Sequence, residues 1–295
     1  MPQAGSMLTN IRKIFGDTAA AFIDDTAGLT WLDQGQQDFT NDVWVLEDVA
    51  DFGISKYVQQ YFMPSDCILP MSVMWMQTKY IKLEPEPPNV WDQLVESYPL
   101  ATGNAYHYTV IRRANGLQEL RIGPQRPSKD SATALASGVI ATTATTLGLN
   151  SASGIFRTRG WVIVGSGATQ EVVEYTGVAT STLTGCLRGQ HNTVASNIGS
   201  NTQITQVDLQ VRYKRIPAAL ATNTSPEIPV AWHRYLETYA MYLAKLAHGE
   251  PKEAEGYLQV YLKQKETARK SAGRRHQDGL QRIKPRRLGS LYPPV

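Results

Sequence analysis

Apolar residues recur at helical spacing toward both ends of the chain and at strand spacing between them. In the stretch from Ile228 to Lys270, Trp232, Leu236, Tyr239, Ala240 and Leu243 fall three or four residues apart, and Ala254, Tyr257, Leu258, Tyr261 and Leu262 repeat the pattern. His248-Gly249-Glu250-Pro251 separates the two arms. Gly249 suits the left-handed end of one helix and Pro251 the first turn of the next. So short a connection makes the arms antiparallel neighbours. Each arm carries one narrow apolar stripe, so the hairpin needs a third helix. Residues Thr26 to Val43 supply it, with Leu29, Leu32, Phe39 and Val43 on a heptad-like stripe and Gln36 in the seam. The Thr26 hydroxyl is the expected start cap. Trp31 and Trp44 read as core or rim packing. A short helix over Leu8–Phe15 precedes this one, joined through the small residues Ala19–Ala21.

Between the helical regions the period changes. Residues 57–62 alternate weakly, and Met63-Pro64-Ser65-Asp66 reads as a turn. Val73–Met76 and Lys79–Leu83 are strand candidates, Pro85, Pro87 and Pro88 interrupt regular structure, and Pro88–Glu96 begins a short helix. Tyr106–Arg113 and Leu117–Ile122 flank Asn115-Gly116, a hairpin turn. Val207–Arg215 alternates again and is expected to return to the same sheet. From 131 to 205 the composition turns rich in Ser, Thr, Gly and Ala, with short β runs at Thr145–Leu149, Gly160–Val164, Glu171–Tyr175 and Thr182–Leu187. Strands of the first sheet on both sides mark this stretch as an insertion into a loop.

The fold class expected is therefore α+β. An N-terminal helix and a C-terminal antiparallel hairpin form a helical bundle with a small β-sheet, and an all-β domain is inserted. The core takes residues 1–130 and 206–272, the inserted module 131–205, and a basic, extended tail 273–295.

A hydrophobic content of 42% with 19% charged residues fits a folded globular chain. The net charge of +3 hides an uneven distribution: residues 263–287 carry +8, leaving −5 on the rest. Cys67 and Cys186 stand far apart and suggest neither a disulfide framework nor a zinc site. The first fifteen residues lack the apolar run of a signal peptide, and Ala132–Leu149 is too interrupted by Ser, Thr and Gly to span a bilayer. The expectation is a soluble protein without a membrane address.

No catalytic constellation emerges. His107, His191, His233, His248 and His276 lack metal-ligand spacing such as an i, i+4 pair. Glu171 and Glu174 point to opposite faces of one strand and make a poor acid–base pair. Gly165-Ser166-Gly167 lacks the lysine and following helix of a phosphate loop and reads as a turn. The exception is the tail, where Arg274, Arg275, Arg282, Lys284, Arg286 and Arg287 precede an apolar end with Leu291 and Tyr292. Gly273, Gly279, Gly289 and the prolines argue against one continuous helix. This tail either stays solvated, or orders on a partner with its basic residues steering and Leu291 and Tyr292 anchoring, or meets nucleic acid phosphate.

Two stretches carry resemblances. Thr30-Trp31-Leu32-Asp33-Gln34-Gly35-Gln36-Gln37-Asp38-Phe39 is similar to the WLN-x-AQ opening helix of tailed-bacteriophage head-to-tail adaptor (connector) proteins. Met63-Pro64-Ser65-Asp66 matches the turn that follows in that family, and Ile228-Pro229 to Ala247 with Glu253–Leu262 matches its late helix pair. Gly35 departs from the family's alanine, and glycine inside a helix costs ~1 kcal/mol relative to alanine. In the insertion, Glu171-Val-Val-Glu-Tyr175-Thr-Gly177, then Leu183-Thr-Gly185-Cys-Leu-Arg188-Gly189, then Thr193-Val-Ala195, resembles a small β module recurring in phage virion proteins. Asn192 stands where that module commonly has glycine.

The resemblance implies a structural protein with no enzymatic activity and no cofactor, in the neck of a virion after assembly in the host cytoplasm. Its copies would form a ring, twelve-fold as expected of the family, between the portal protein and the tail nozzle or tube. DNA would pass through without sequence-specific contact. The tail residues named above would dock on the portal or capsid, and the module would face capsid or tail fibre on the outer rim. The rival expectations are a tail-associated glycan-binding or hydrolytic protein and a basic-tailed DNA-binding protein.

Overall fold

The computed structural model describes residues 2–43, 46–77, 80–98, 101–113, 116–150, 156–166 and 170–279, and beyond Ser271 it describes the last helix by its backbone alone. The architecture is mixed α+β: N-terminal helices, a C-terminal helix pair packed on them, and several small, mostly antiparallel sheets between. The chain divides into two compact units, residues 1–45 with 217–295, and residues 46–216. The small sheet expected with the helical bundle thus falls in the same unit as the inserted module.

The helical unit contains α1 (Ala4–Phe15), α2 (Asp25–Asp42), α4 (His233–Ala247) and α5 (Pro251–Gly279), while α3 (Pro88–Ser97) belongs to the other unit. Met7, Leu8 and Ile11 of α1, Leu32 and Phe39 of α2, and Leu236, Ala240 and Ala244 of α4 close one apolar core, which Ala268 of α5 also enters. The first helix begins four residues earlier than its periodicity predicts. Asp17 organises the link to α2, its carboxylate accepting from the N–H groups of Ala21, Phe22 and Ile23. The cap of α2 is Asp24 rather than Thr26. Its carboxylate accepts from Ala27 N at 2.7 Å, because Asp24 stands three residues before that N–H whereas Thr26 already lies inside the first turn.

Gly35 has a packing reason. An alanine Cβ there would lie 3.1 Å from Cδ1 of Tyr239, so the glycine lets α4 approach α2 closely. Gln36, fully buried, donates to Ala218 O and accepts from Glu227 N, which satisfies the seam's polar side chain. Lys265 on α5 reaches Asp38 and Asp42 at 2.7 and 2.6 Å, and Tyr261 donates to Asp38. Leu262, expected on the buried stripe, is 46% exposed. Seven residues return Tyr261 to the face of Ala254, whereas eight carry Leu262 about 80° around the helix. The hairpin turns at Gly249, whose φ is +86°. Trp44 lies outside the described residues.

In the second unit, β1 (Glu47–Phe52), β18 (Leu209–Arg215), β3 (Cys67–Trp75) and β4 (Ile81–Lys82) form one sheet in that order. A second sheet orders β2 (Gln60–Phe62), β8 (Gln118–Gly123), β7 (His107–Arg112) and β5 (Glu84–Pro85). Residues 209–215 therefore do not return to the sheet of the 107–123 hairpin; the expected single sheet is two, packed through Trp75, Val73, Leu83, Leu120, Ile122 and Val211. Strand β1 escaped the pattern because it is acidic and only half-buried; Glu47 pairs across the ladder with Arg212 of β18. Pro85 ends a strand despite lacking an N–H, which an edge position tolerates. A short parallel pair, β6 (Thr102–Gly103) with β9 (Arg126–Pro127), lies nearby in sequence.

The inserted module has its own core, built on Leu147, Val162, Val173, Tyr175, Leu183 and Ile204. Its larger sheet orders β10 (Thr133–Leu135), β17 (Gln203–Gln206), β12 (Gly160–Val164), β13 (Glu171–Tyr175) and β16 (Leu187–Gln190). Its smaller sheet orders β11 (Thr146–Gly148), β15 (Thr182–Thr184) and β14 (Gly177–Ala179). The run Thr182–Leu187 is thus two strands, one in each sheet.

Candidate functional site

The motif residues of the module prove to be a structural keystone. Arg188 donates from Nε and Nη2 to the two oxygens of Glu171, each at 2.6 Å. The same carboxylate accepts from Gly189 N and Ser196 N, and the guanidinium also donates to the carbonyls of Ala141 and Ser196. A fork-to-fork pair of this kind satisfies both charges at once. Burial raises the Glu171 carboxyl, but the Arg188 hydrogen bonds and the Ser196 and Gly189 N–H groups outweigh it and hold the group below its ordinary value. A Cβ on Gly189 would sit 3.1 Å from both Ala195 N and Thr193 O, so only glycine lets the strand after Arg188 pass its neighbour. Glu171 is consumed by this network, and Glu174 points elsewhere, as expected of the alternation.

Two more buried charges knit the unit. Glu119 pairs with Arg121 at 2.7 Å and with Arg113. Asp208 accepts from Ser131 at 2.7 Å and faces Arg157 at 3.0 Å, while Ser131 Oγ accepts from Ile54 N. Arg157 also donates to the carbonyls of Met76 and Val207. The module is thereby fastened to the first sheet. His191 adds a second fastening through Asp51, whose hydrogen bond raises the imidazole against the opposing effect of burial. Both cysteines are buried and free, and burial pushes Cys67 up to about 12 and Cys186 up to about 11, which keeps the thiols protonated.

The histidines fare differently from their sequence reading. His233 is buried with Nε2 against Ile228 O, and His248 faces Glu250 on the surface. His107, however, meets Glu84 and Glu86: ligand atoms of the three residues lie within 4.8 Å of one another. Spacing along the chain hid this cluster, since a parallel β5–β7 pair assembles it across some twenty residues. Beside it a groove of about 540 Å³ is lined by Leu69, Met71, Pro85, Glu86, Tyr108 and Val110.

Of the tail residues, Arg274 and Arg275 fall on the backbone of α5, which continues through Gly273 to Gly279. Gly273 therefore does not end the helix; one glycine costs only ~1 kcal/mol in an otherwise favourable run of Ala, Arg, Lys and Gln. Arg282, Lys284, Arg286, Arg287, Leu291 and Tyr292 lie outside the described residues, as does Gly167 of the glycine-rich turn. The helical unit also presents an apolar surface of which periodicity marked Tyr257 alone. Ile14, Met241, Tyr257 and Val260 border a groove of about 260 Å³, with Ile14 and Val260 at least half exposed. No helix among the described residues is long and apolar enough to cross a membrane.

Comparison with models of known protein families and with curated proteins gives no match to this chain.

Proposed function

We propose that this chain is a structural protein of a phage neck, its copies forming a ring that joins the portal to the tail and continues the DNA channel. The observation that carries the proposal is the helical unit: α2 with the resembling segment, the α4–α5 pair closing its core, and a basic run continuing from α5. Exposed Ile14 and Val260 give each bundle an apolar face of the kind that subunit contacts cover. Adjacent bundles would pack through such faces around the channel. Arg274, Arg275, Arg282, Lys284, Arg286 and Arg287 steer the tail onto an acidic surface of the portal or capsid, and Leu291 and Tyr292 anchor it. The module faces outward, where it leaves the channel clear. We assign the protein no reaction.

Electron microscopy of purified virions tests this directly, comparing particles made with the full chain and with a chain lacking residues 273–295. A ring of density beneath the portal, lost together with head-to-tail joining in the truncated form, is the expected result. Density on distal fibres, or unimpaired joining without the tail, would sink the proposal.

A further inference from the structure

We infer that Glu84, Glu86 and His107 form a binding site for a divalent transition-metal ion, Zn²⁺ being the best fit. In the parallel pairing of β5 with β7, Glu84 stands opposite His107, and Glu86 follows two residues on, along the same face. Nδ1 of His107 lies 3.1 Å from Oε1 of Glu86, with an angle that makes an ion contact but no hydrogen bond, so that nitrogen is buried without one. Among the described residues no lysine or arginine forms an ion pair with either glutamate. Two carboxylates and one imidazole nitrogen thus converge with no lysine or arginine paired to them among the described residues.

A second observation comes from Thr109. It is two residues beyond His107, on the same face of β7, and borders the groove that Glu86 also lines. Its side chain is 1% exposed, yet its hydroxyl has no hydrogen-bond partner. Buried polar groups are ordinarily satisfied, so an unpaired hydroxyl on the strand face that carries His107 marks a place built for a polar guest. A hydrated cation answers both, through its charge and through the waters it carries.

The donor set selects the ion. One nitrogen and two carboxylate oxygens suit Zn²⁺, which accepts His and Glu in a four-coordinate sphere completed by water. Ca²⁺ requires six to eight oxygens, and Mg²⁺ prefers oxygen alone with most of its water kept. The consequence for the fold is local. At the ends of the short β5–β7 ladder, Glu84 N donates to Tyr106 O and Glu86 N to Tyr108 O. A metal bridging both sides would clamp this two-residue strand and the proline-rich turn that leads into α3.

Isothermal titration of the chelator-treated full-length protein with ZnCl₂ tests the site. One saturable equivalent per chain is expected, unaffected by equimolar Mg²⁺ or Ca²⁺, together with a rise in melting temperature. His107→Gln and Glu86→Gln should each weaken uptake by about tenfold or more and abolish the thermal shift. His248→Gln, which removes the surface His–Glu pair of the helical unit, should leave uptake unchanged. Absence of a saturable equivalent, or uptake that survives His107→Gln in a protein of native circular dichroism, would overturn the site. If the half-buried variants lose the native spectrum, the exposed Glu84→Gln decides: weakened uptake supports the site and unchanged uptake rejects it.

Discussion

The two units bury their interiors with different chemistry. In the helical unit the deepest positions are Met7, Leu8, Ile11, Leu32, Phe39 and Leu236, and the buried polar side chains Gln36, Thr40 and His233 carry no carboxylate. In the unit of residues 46–216, Glu119, Glu171 and Asp208 are all buried, each beside an arginine. The cause lies in the backbone. A helix satisfies its own N–H and C=O groups, so its neighbours need offer only apolar surface. The module's strands are three to five residues long and joined by irregular segments, whose buried N–H groups need acceptors from elsewhere. Glu171 accepts from two, Gly189 in β16 and Ser196 in the segment after it, and Arg188 donates to the carbonyls of Ala141 and Ser196. A buried ion pair here ties the edge strand β16 to the irregular segments at Ala141 and Ser196.

This contrast can be broken by mutation. The largest effect is expected from Arg188→Ala, which leaves Glu171 buried without its counterion and costs about 3–5 kcal/mol. Hydrogen exchange should rise across β13, β16 and β17 while α4 keeps its protection; equal loss in α4 would show that the two interiors are not separately held. Leu236→Ala should cost about 2–5 kcal/mol through the cavity it leaves, with the reverse pattern of exchange. Acid provides the gentlest probe. Burial raises Glu119 and Glu171, but their arginine partners prevail and hold both below 4.5. Their contribution is therefore complete above about pH 4.5 and is lost as the pH falls through their folded values. Melts followed by circular dichroism should weaken in that range, and Glu171→Gln should flatten part of the loss. An unchanged acid profile in Glu171→Gln would mean that the pair adds little.

How far the chain could be read beforehand follows the same division. The 3.6-residue period marked α2, α4 and α5, and the short β runs Gly160–Val164 and Glu171–Tyr175 marked β12 and β13 to their ends. Leu262 was misplaced because an eight-residue spacing looks helical while drifting off the face. Strands β1, β5, β6, β9, β10, β14 and β17 are not marked by the sequence, being short or polar enough to lack an apolar alternation. Arg188 was visible only as part of a motif; that it grips Glu171 depends on a fold bringing residues seventeen apart face to face. The Glu84, Glu86 and His107 cluster was illegible for a related reason, since parallel strands have no tight turn to announce their pairing. The basic run could be counted directly, whereas its continuation in α5 through Gly273 ran against the local propensity of a glycine.

The wide separation of the helical unit's partners also bears on how the protein is made. Gln36 bonds to Ala218 and Glu227, across 182 and 191 residues. On the ribosome, α1 and α2 emerge before α4, and translation at about 5–20 residues per second leaves them waiting on the order of ten seconds or more for it. The 46–216 unit, complete in itself, is free to fold in that interval. A nascent chain extruded only as far as Ile216 should resist protease within β12 and β13 yet be cut in α2; protection of α2 at that stage would contradict this order. Until α4 arrives, Leu32 and Phe39 remain open to whatever chaperone or sister chain meets them first.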